Sequence, residues 1–174
     1  MPVDKLKLLH QRLTEKVLGA EEPATLLLIA LLAKGHALIE GAPGIGKTSI
    51  AQTLASCFGG EFRRIQFTPD LLPSDILGYH LYKQNSGEFE FIPGPVFSNL
   101  LLADEINRTS PRVQSALLEA MNEAQVTIDG KTIQLDEPFC VIATQNDTSS
   151  TGTFPLPEPQ LDRFLLSIPM SLPS

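Results

Sequence analysis

Cysteine, histidine and clustered positive charge are all scarce in this chain, and each scarcity removes a class of function. Cys57 and Cys140 are the only cysteines among 174 residues, far apart, with no CxxC spacing and no histidine-rich partner. Reduced core thiols are therefore expected, not a disulfide framework or a zinc site. His10, His36 and His80 are isolated from one another and from any serine or cysteine nucleophile, which reads as surface or core histidine. Lys and Arg number 13 against 20 Asp and Glu, a formal net charge of −7, and the longest basic run is Arg63-Arg64. A general nucleic-acid binder needs clustered cations to displace counterions from phosphates, so no nucleic-acid partner is expected. The most apolar stretch, residues 24–33, covers about half of the ~20 residues needed to cross a bilayer, so it is expected as a core helix and no membrane segment is expected. The N-terminus lacks an apolar signal core with a small-residue cleavage site, which makes the cytoplasm the expected compartment.

What is present suits one well-buried domain: 43% of the residues are hydrophobic and 19% charged. Leu6, Leu9, Leu13 and Val17 recur at helical spacing among polar residues and predict an amphipathic helix over 4–18, followed by a second helix from Pro23. Ala37-Leu38-Ile39-Glu40 is a short apolar run feeding a glycine-rich loop, and a helix is predicted over 47–58. Four more short apolar runs, 62–67, 100–103, 139–144 and 164–168, alternate with helical or loop segments, as in a parallel α/β sheet of five strands. The helix at 111–124 is well marked, with Ser110 as candidate N-cap, Pro111 at the first helical position, and Val113, Leu117, Ala120 and Met121 on its apolar face. Two segments break the alternation. Residues 79–92 flank the turn-forming Gln84-Asn85-Ser86-Gly87, and 126–135 flank Asp129-Gly130, so each reads as an inserted hairpin. Residues 147–159 are rich in Ser, Thr, Gly and Pro and are expected as loop.

Gly41-Ala42-Pro43-Gly44-Ile45-Gly46-Lys47-Thr48 matches G-x-x-x-x-G-K-[ST] between a predicted strand and a predicted helix. Glycines let the backbone curl around phosphate oxygens, and the helix N-terminus adds partial positive charge. Lys47 is expected to reach the β- and γ-phosphates, Ser49 to join the ATP-binding set, and Thr48 to offer its hydroxyl to Mg²⁺. A magnesium-nucleotide site also needs a carboxylate at the end of a neighbouring strand, which the run Leu100-Leu101-Leu102-Ala103-Asp104-Glu105 supplies. Asp104 would orient the metal, and Glu105 would take the proton from an attacking water. An Asp-Glu pair after an apolar strand is weak evidence alone, since acids commonly end strands and cap helices.

These motifs, with Asp104-Glu105-Ile106-Asn107-Arg108 and Val113-Gln114-Ser115-Ala116-Leu117-Leu118-Glu119-Ala120-Met121, resemble the MoxR family of AAA+ ATPases. The resemblance continues through Ala143-Thr144-Gln145-Asn146, Thr153-Phe154-Pro155-Leu156-Pro157-Glu158 and Gln160-Leu161-Asp162-Arg163-Phe164, and covers nearly the whole chain. It implies an α/β P-loop NTPase core over 1–174: a three-layer sandwich on a five-stranded parallel sheet in the order 5-1-4-3-2, with two hairpin inserts where the sequence shows them. It also implies ATP and Mg²⁺ as cofactors, Asn146 as the sensor-1 residue that helps place the attacking water, and Arg163 as the arginine finger that reaches a neighbouring subunit's ATP. The alternative for Arg163 is a local salt bridge with Asp162 or Glu158, and Arg108 and Arg112 are rival fingers. Gln66 matches a polar switch that restrains Glu105 in related ATPases, or is an ordinary strand-end amide. The chain departs from the family in Asp147-Thr148-Ser149-Ser150-Thr151, where acidic residues and proline are common, and in ending at Ser174 without the helical lid.

The function so implied is a MoxR-type ATPase, a ring oligomer and a hexamer when the lid is present. It would hydrolyse Mg-ATP between subunits to remodel or activate a client, with von Willebrand A domain proteins among the family's partners. A small-molecule kinase shares the phosphate loop, but Asp104-Glu105 suits water activation and hydrolysis. A nucleic-acid motor is disfavoured by the acidic charge and by hairpins poor in Lys and Arg, and no Asn-Lys-x-Asp guanine motif follows the phosphate loop. Without a lid, a nucleotide-binding core with little turnover is the remaining expectation.

Overall fold

A computed structural model describes residues 3–16, 21–57, 59–146 and 153–171. In chain order the elements are α1 (Val3–Lys16), α2 (Glu21–Leu32), β1 (Ala37–Glu40), α3 (Lys47–Cys57), β2 (Phe62–Gln66), α4 (Pro73–Leu77), β3 (Gly78–Lys83), β4 (Glu88–Pro93) and β5 (Leu100–Asp104). A 3-10 turn at Ile106–Arg108 follows, then α5 (Pro111–Glu123), β6 (Gln125–Ile128), β7 (Lys131–Gln134), β8 (Cys140–Gln145), α6 (Glu158–Leu161) and β9 (Leu166–Pro169). Five strands pair in parallel in the order β2-β5-β8-β1-β9. Counting only those five along the chain gives the expected 5-1-4-3-2, read from the opposite edge.

The sheet is buried on both faces, which is why its central strands are continuous apolar runs and not alternating ones. Leu100 and Leu102 of β5, Cys140 and Ile142 of β8, and Ala37 and Ile39 of β1 pack on the layer that contains α1, α2 and α3. The residues between them, Leu101, Ala103, Val141, Ala143 and Leu38, pack on the opposite layer with α5. Strand alternation therefore decides which face each later polar residue joins. The run 62–67 is less apolar than the expectation for a core strand, because β2 is the sheet edge: Arg63 and Arg64 are exposed and Ile65 half-buried. Charged side chains on an edge also oppose pairing with another sheet.

Helix α5 buries the four predicted apolar residues and also Gln114 and Leu118. Ser110 occupies the N-cap with extended backbone angles but makes no side-chain cap bond; its carbonyl accepts from the Val113 and Gln114 amides. The apolar α2 is not wholly core, since Ile29 and Leu32 are exposed. No helix among the described residues is long and apolar enough to cross a membrane. Both cysteines are free; Cys140 is buried, which pushes its thiol up to about 12, whereas Cys57 is only half-buried. His36 is a structural histidine: its Nδ1 accepts from the Val141 amide at 2.9 Å, its Nε2 donates to the Met121 carbonyl at 3.2 Å, and burial lowers its pKa. No cluster of metal-ligating side chains of the His, Cys, Asp and Glu type occurs among the described residues.

Both hairpins are present, β3 with β4 and β6 with β7. Asp129 and Gly130 have φ of +50° and +75°, the pair of left-handed residues that a two-residue turn of the I′ type needs. The hairpins touch through His80 Nδ1, 2.8 Å from Asp129 Oδ2.

Leu102 is 1% exposed between two layers, so Leu102→Ala should destabilise the fold by roughly 2–5 kcal/mol. Phe89, 70% exposed on the first hairpin, should tolerate Ala with a change of about 0.5 kcal/mol or less. Urea denaturation of both variants measures the difference.

Candidate active site

The loop between β1 and α3 is anchored before it begins. Glu40, the last residue of β1, accepts hydrogen bonds from Gln145 Nε2 on β8 and Ser167 Oγ on β9, and its carbonyl accepts from the Met170 amide at 2.7 Å. Gly44 and Gly46 take φ of +82° and +93°, which lets the chain curl into the first turn of α3. The first amides of that helix have no intrahelical partner and are available to an anion. Lys47 folds back over the loop, donating to the carbonyls of Gly41 and Ala42 and, at 2.9 Å, to Asn146 Oδ1. Burial lowers its pKa, opposed by the charges of Glu105 and Asp104.

The acids arrive from the neighbouring strand by alternation. Asp104 continues the face of Leu100 and Leu102, the face that α3 covers, and meets Thr48 Oγ1 at 3.1 and 3.0 Å. Thr144 Oγ1 donates to Asp104 Oδ1 at 2.5 Å and accepts from the Glu105 amide at 2.9 Å, so one hydroxyl ties both acids to β8. Burial alone would raise the Asp104 carboxyl, but hydrogen bonds from Thr144, Arg64 and Thr48 and the Arg64 charge outweigh it and hold it below its ordinary 3.8. Glu105 stands in the left-handed region, with φ 58° and ψ 49°, a sparsely populated conformation for a non-glycine residue. The turn carries its carboxylate away from Asp104 toward Asn146 Nδ2 at 2.8 Å, Gln66 Nε2 at 2.8 Å and Arg108 Nη1 at 3.0 Å.

Pro43, Gly44, Gly46, Lys47, Thr48, Ser49, Asp104, Glu105 and Asn146 thus share one cavity of about 350 Å³. Gly41 and Ala42 contribute carbonyls to Lys47, and Ile45 packs into the core beneath the loop. The residues present fit a magnesium-nucleotide. Thr48 and Asp104 offer hard oxygen donors within about 3 Å of each other, Lys47 offers a cation, and a Cβ built on Gly44 would meet nothing within 4 Å.

The arginines separate. Arg163 does not enter this cavity: it is exposed at the end of α6 and, with the Asn122 amide turned to satisfy both groups, donates Nε and Nη1 to that oxygen at 3.1 and 3.0 Å. Neither Asp162 nor Glu158 pairs with it. Arg108 is committed within the chain to Glu105, and Arg112 is exposed with no side-chain partner among the described residues. The departure noted at 147–151 lies outside the described residues.

Four contributors escaped the sequence reading. Arg64 pairs with Asp104 at 2.7 Å; it lies two residues before Gln66 and so on the same face of β2, a signal that strand alternation carried. Thr144 closes an apolar run, and nothing around it marks its hydroxyl as the partner of both acids. Asn107 donates to the Asn146 carbonyl at 3.0 Å, and buried Gln114 Nε2 donates to the carbonyls of Ile106, Thr109 and Phe154 at 3.3, 3.3 and 3.1 Å. Nothing in a helix-face count distinguishes such an inward amide from a surface one. Thr144→Val should cost roughly 1–3 kcal/mol at pH 7 by leaving two groups short of a partner. Because the folded-state pKa of Asp104 is depressed, its contribution is complete above the unfolded value and lost as pH falls through the folded one. The gap between wild type and Thr144→Val should therefore shrink below pH 3.8, as urea denaturation across pH measures.

A family model described as the ATPase family associated with various cellular activities (AAA) matches residues 36–166. Chaperone MoxR1 of Mycobacterium tuberculosis is 51% identical over 158 residues, covering 91% of this chain and 42% of that protein. Protein MoxR of Methylorubrum extorquens is 33% identical over 169 residues, covering 94% and 49%. A crystal structure of an inferred ATPase from Cytophaga hutchinsonii is 50% identical, with a TM-score of 0.82 over 97% of this chain and 51% of that one. The chain spans about half the length of the relatives it matches. With the family model covering most of the chain, the five-stranded order in place and the phosphate loop facing its acids, this chain belongs to the AAA ATPases, in the MoxR family.

Proposed function

We propose that this chain binds and hydrolyses Mg-ATP at an interface between subunits, and that the hydrolysis drives remodelling or activation of a client protein. The observation that carries the reading is the bridge through Asn146, which accepts from Lys47 at 2.9 Å and donates to Glu105 at 2.8 Å. One amide thereby links a phosphate-binding cation to a carboxylate fit to be a general base, the two groups that an attacking water and its phosphate must meet. In this reading the loop amides and Lys47 bind phosphates, Thr48 and Asp104 hold Mg²⁺, and Glu105 accepts the water's proton while Asn146 positions that water. Bound Mg²⁺ supplies charge that polarises the phosphoryl oxygens. Glu105 accepts three hydrogen bonds here, from Asn146, Gln66 and Arg108, which suits a resting base whose release from Gln66 precedes turnover.

Arg163, exposed and outside its own cavity, is proposed as the finger donated to the next subunit, in a ring whose full form is a hexamer. AAA membership implies a nucleotide, usually with Mg²⁺. One relative named as a chaperone, MoxR1, motivates a protein client, and the family resemblance suggests one that carries a von Willebrand A domain. Turnover per chain should climb with protein concentration, and Arg163→Ala should remove the climb, with a loss of roughly 10³-fold or more in the assembled state. Glu105→Gln should lower turnover about 10²-fold or more while ATP still binds. Flat turnover indistinguishable from that of Glu105→Gln would reduce the chain to a nucleotide-binding core.

A further inference from the structure

Asp104 is held by a cation that the hydrolytic reading does not use. Arg64 reaches it from the sheet edge, with Nη2 2.7 Å and Nε 3.3 Å from Oδ2. The other donors are the hydroxyls of Thr144, on Oδ1, and Thr48, across both oxygens. A carboxylate offers about four acceptor sites, so these contacts leave it saturated. The Asp104 side chain is 5% exposed, so its charge needs a partner, and Arg64 is the one cation touching it among the described residues. Lys47 does not, because its ammonium is spent on the loop carbonyls and Asn146.

The guanidinium sits on Oδ2, the oxygen that Thr48 Oγ1 approaches to 3.0 Å. A divalent cation shared by Thr48 and Asp104 would place two further positive charges beside it, and like charges that close repel. Arg64 also has somewhere to go. Its side chain is 43% exposed on β2, which has no strand beyond it among the described residues, and Nη2 already lies 3.2 Å from Gln66 Oε1, two residues along β2.

We propose that Arg64 is a placeholder for the metal: it neutralises Asp104, competes with Mg²⁺ for Oδ2, and so raises the Mg²⁺ concentration at which Thr48 and Asp104 take up the ion. Arg64 is a positioning residue in this scheme, acting through Asp104. The inference rests on the reading of this cavity as a magnesium-nucleotide site.

Mg²⁺ titrated at a saturating concentration of a hydrolysis-resistant ATP analogue, AMP-PNP, with the melting temperature as readout, tests it without turnover. Arg64→Met should lower the Mg²⁺ half-point about three- to tenfold, and Arg64→Lys, which keeps the charge and loses the fork, should lower it by less. In an Asp104→Asn background, where no carboxylate is contested and only the repulsion between like charges remains, Arg64→Met should shift the half-point by clearly less. A half-point that stays or rises in Arg64→Met, or that shifts equally in the Asp104→Asn background, overturns the proposal and leaves the nucleotide site standing. Should Arg64→Met not fold, Arg64→Lys decides alone: its half-point must fall. A wild-type protein that AMP-PNP does not stabilise at any Mg²⁺ concentration sinks both the site and the placeholder.

Discussion

Asp104 ends a strand whose other four residues are buried hydrocarbon, and its carboxylate is nearly as buried as they are. A charge in that position is stable only if every oxygen is paired. The partners come from three different elements: Thr48 from α3, Thr144 from β8 and Arg64 from β2. The need to solvate one carboxylate thus fixes the phosphate-loop helix, the central strand and the sheet edge relative to one another. The same contacts that keep Asp104 ionised point Thr48 and Asp104 into a common cavity, so the stability of the fold and the geometry of the site are one problem.

Glu105 follows a different logic one residue later. The left-handed turn that begins the 3-10 segment takes its side chain out of the sheet's register and sets it between Asn146, Gln66 and Arg108. Adjacent acids on a regular strand would point to opposite faces. The turn is what lets both serve one cavity, and it is held by the Thr144 hydroxyl below and by Asn107 and Gln114 beneath the loop. In an acidic chain with few cations, Lys47, Arg64 and Arg108 are concentrated around these two carboxylates, whereas Arg163 and Arg112 face outward.

The hairpins belong to the layer opposite the phosphate loop and show how little an insert need bury to persist. Tyr79, Leu81, Tyr82 and Phe89 of the first are exposed, and its packing relies on ring contacts such as Phe91 with Phe97 and on the His80–Asp129 pair to the second. Their turns were legible because Asp129-Gly130 and Ser86-Gly87 are chemistry that a tight reversal demands.

The sequence by itself determined the strands, the main helices, both hairpins and the phosphate loop with its two acids, since these depend on local periodicity, turn chemistry and a contiguous motif. It also carried the sheet order, though only through resemblance, because parallel pairing joins residues far apart in the chain. Tertiary structure alone decided that β2 is an edge able to carry Arg63 and Arg64, that Arg108 pairs with the Glu105 carboxylate while Arg163 bonds the Asn122 amide and no carboxylate among the described residues, and that Thr144 and Gln114 hold the site from beneath. The physical reason is the same in each case: a polar side chain's partner is set by what packing brings within about 3 Å of it, and no spacing in the sequence encodes that distance.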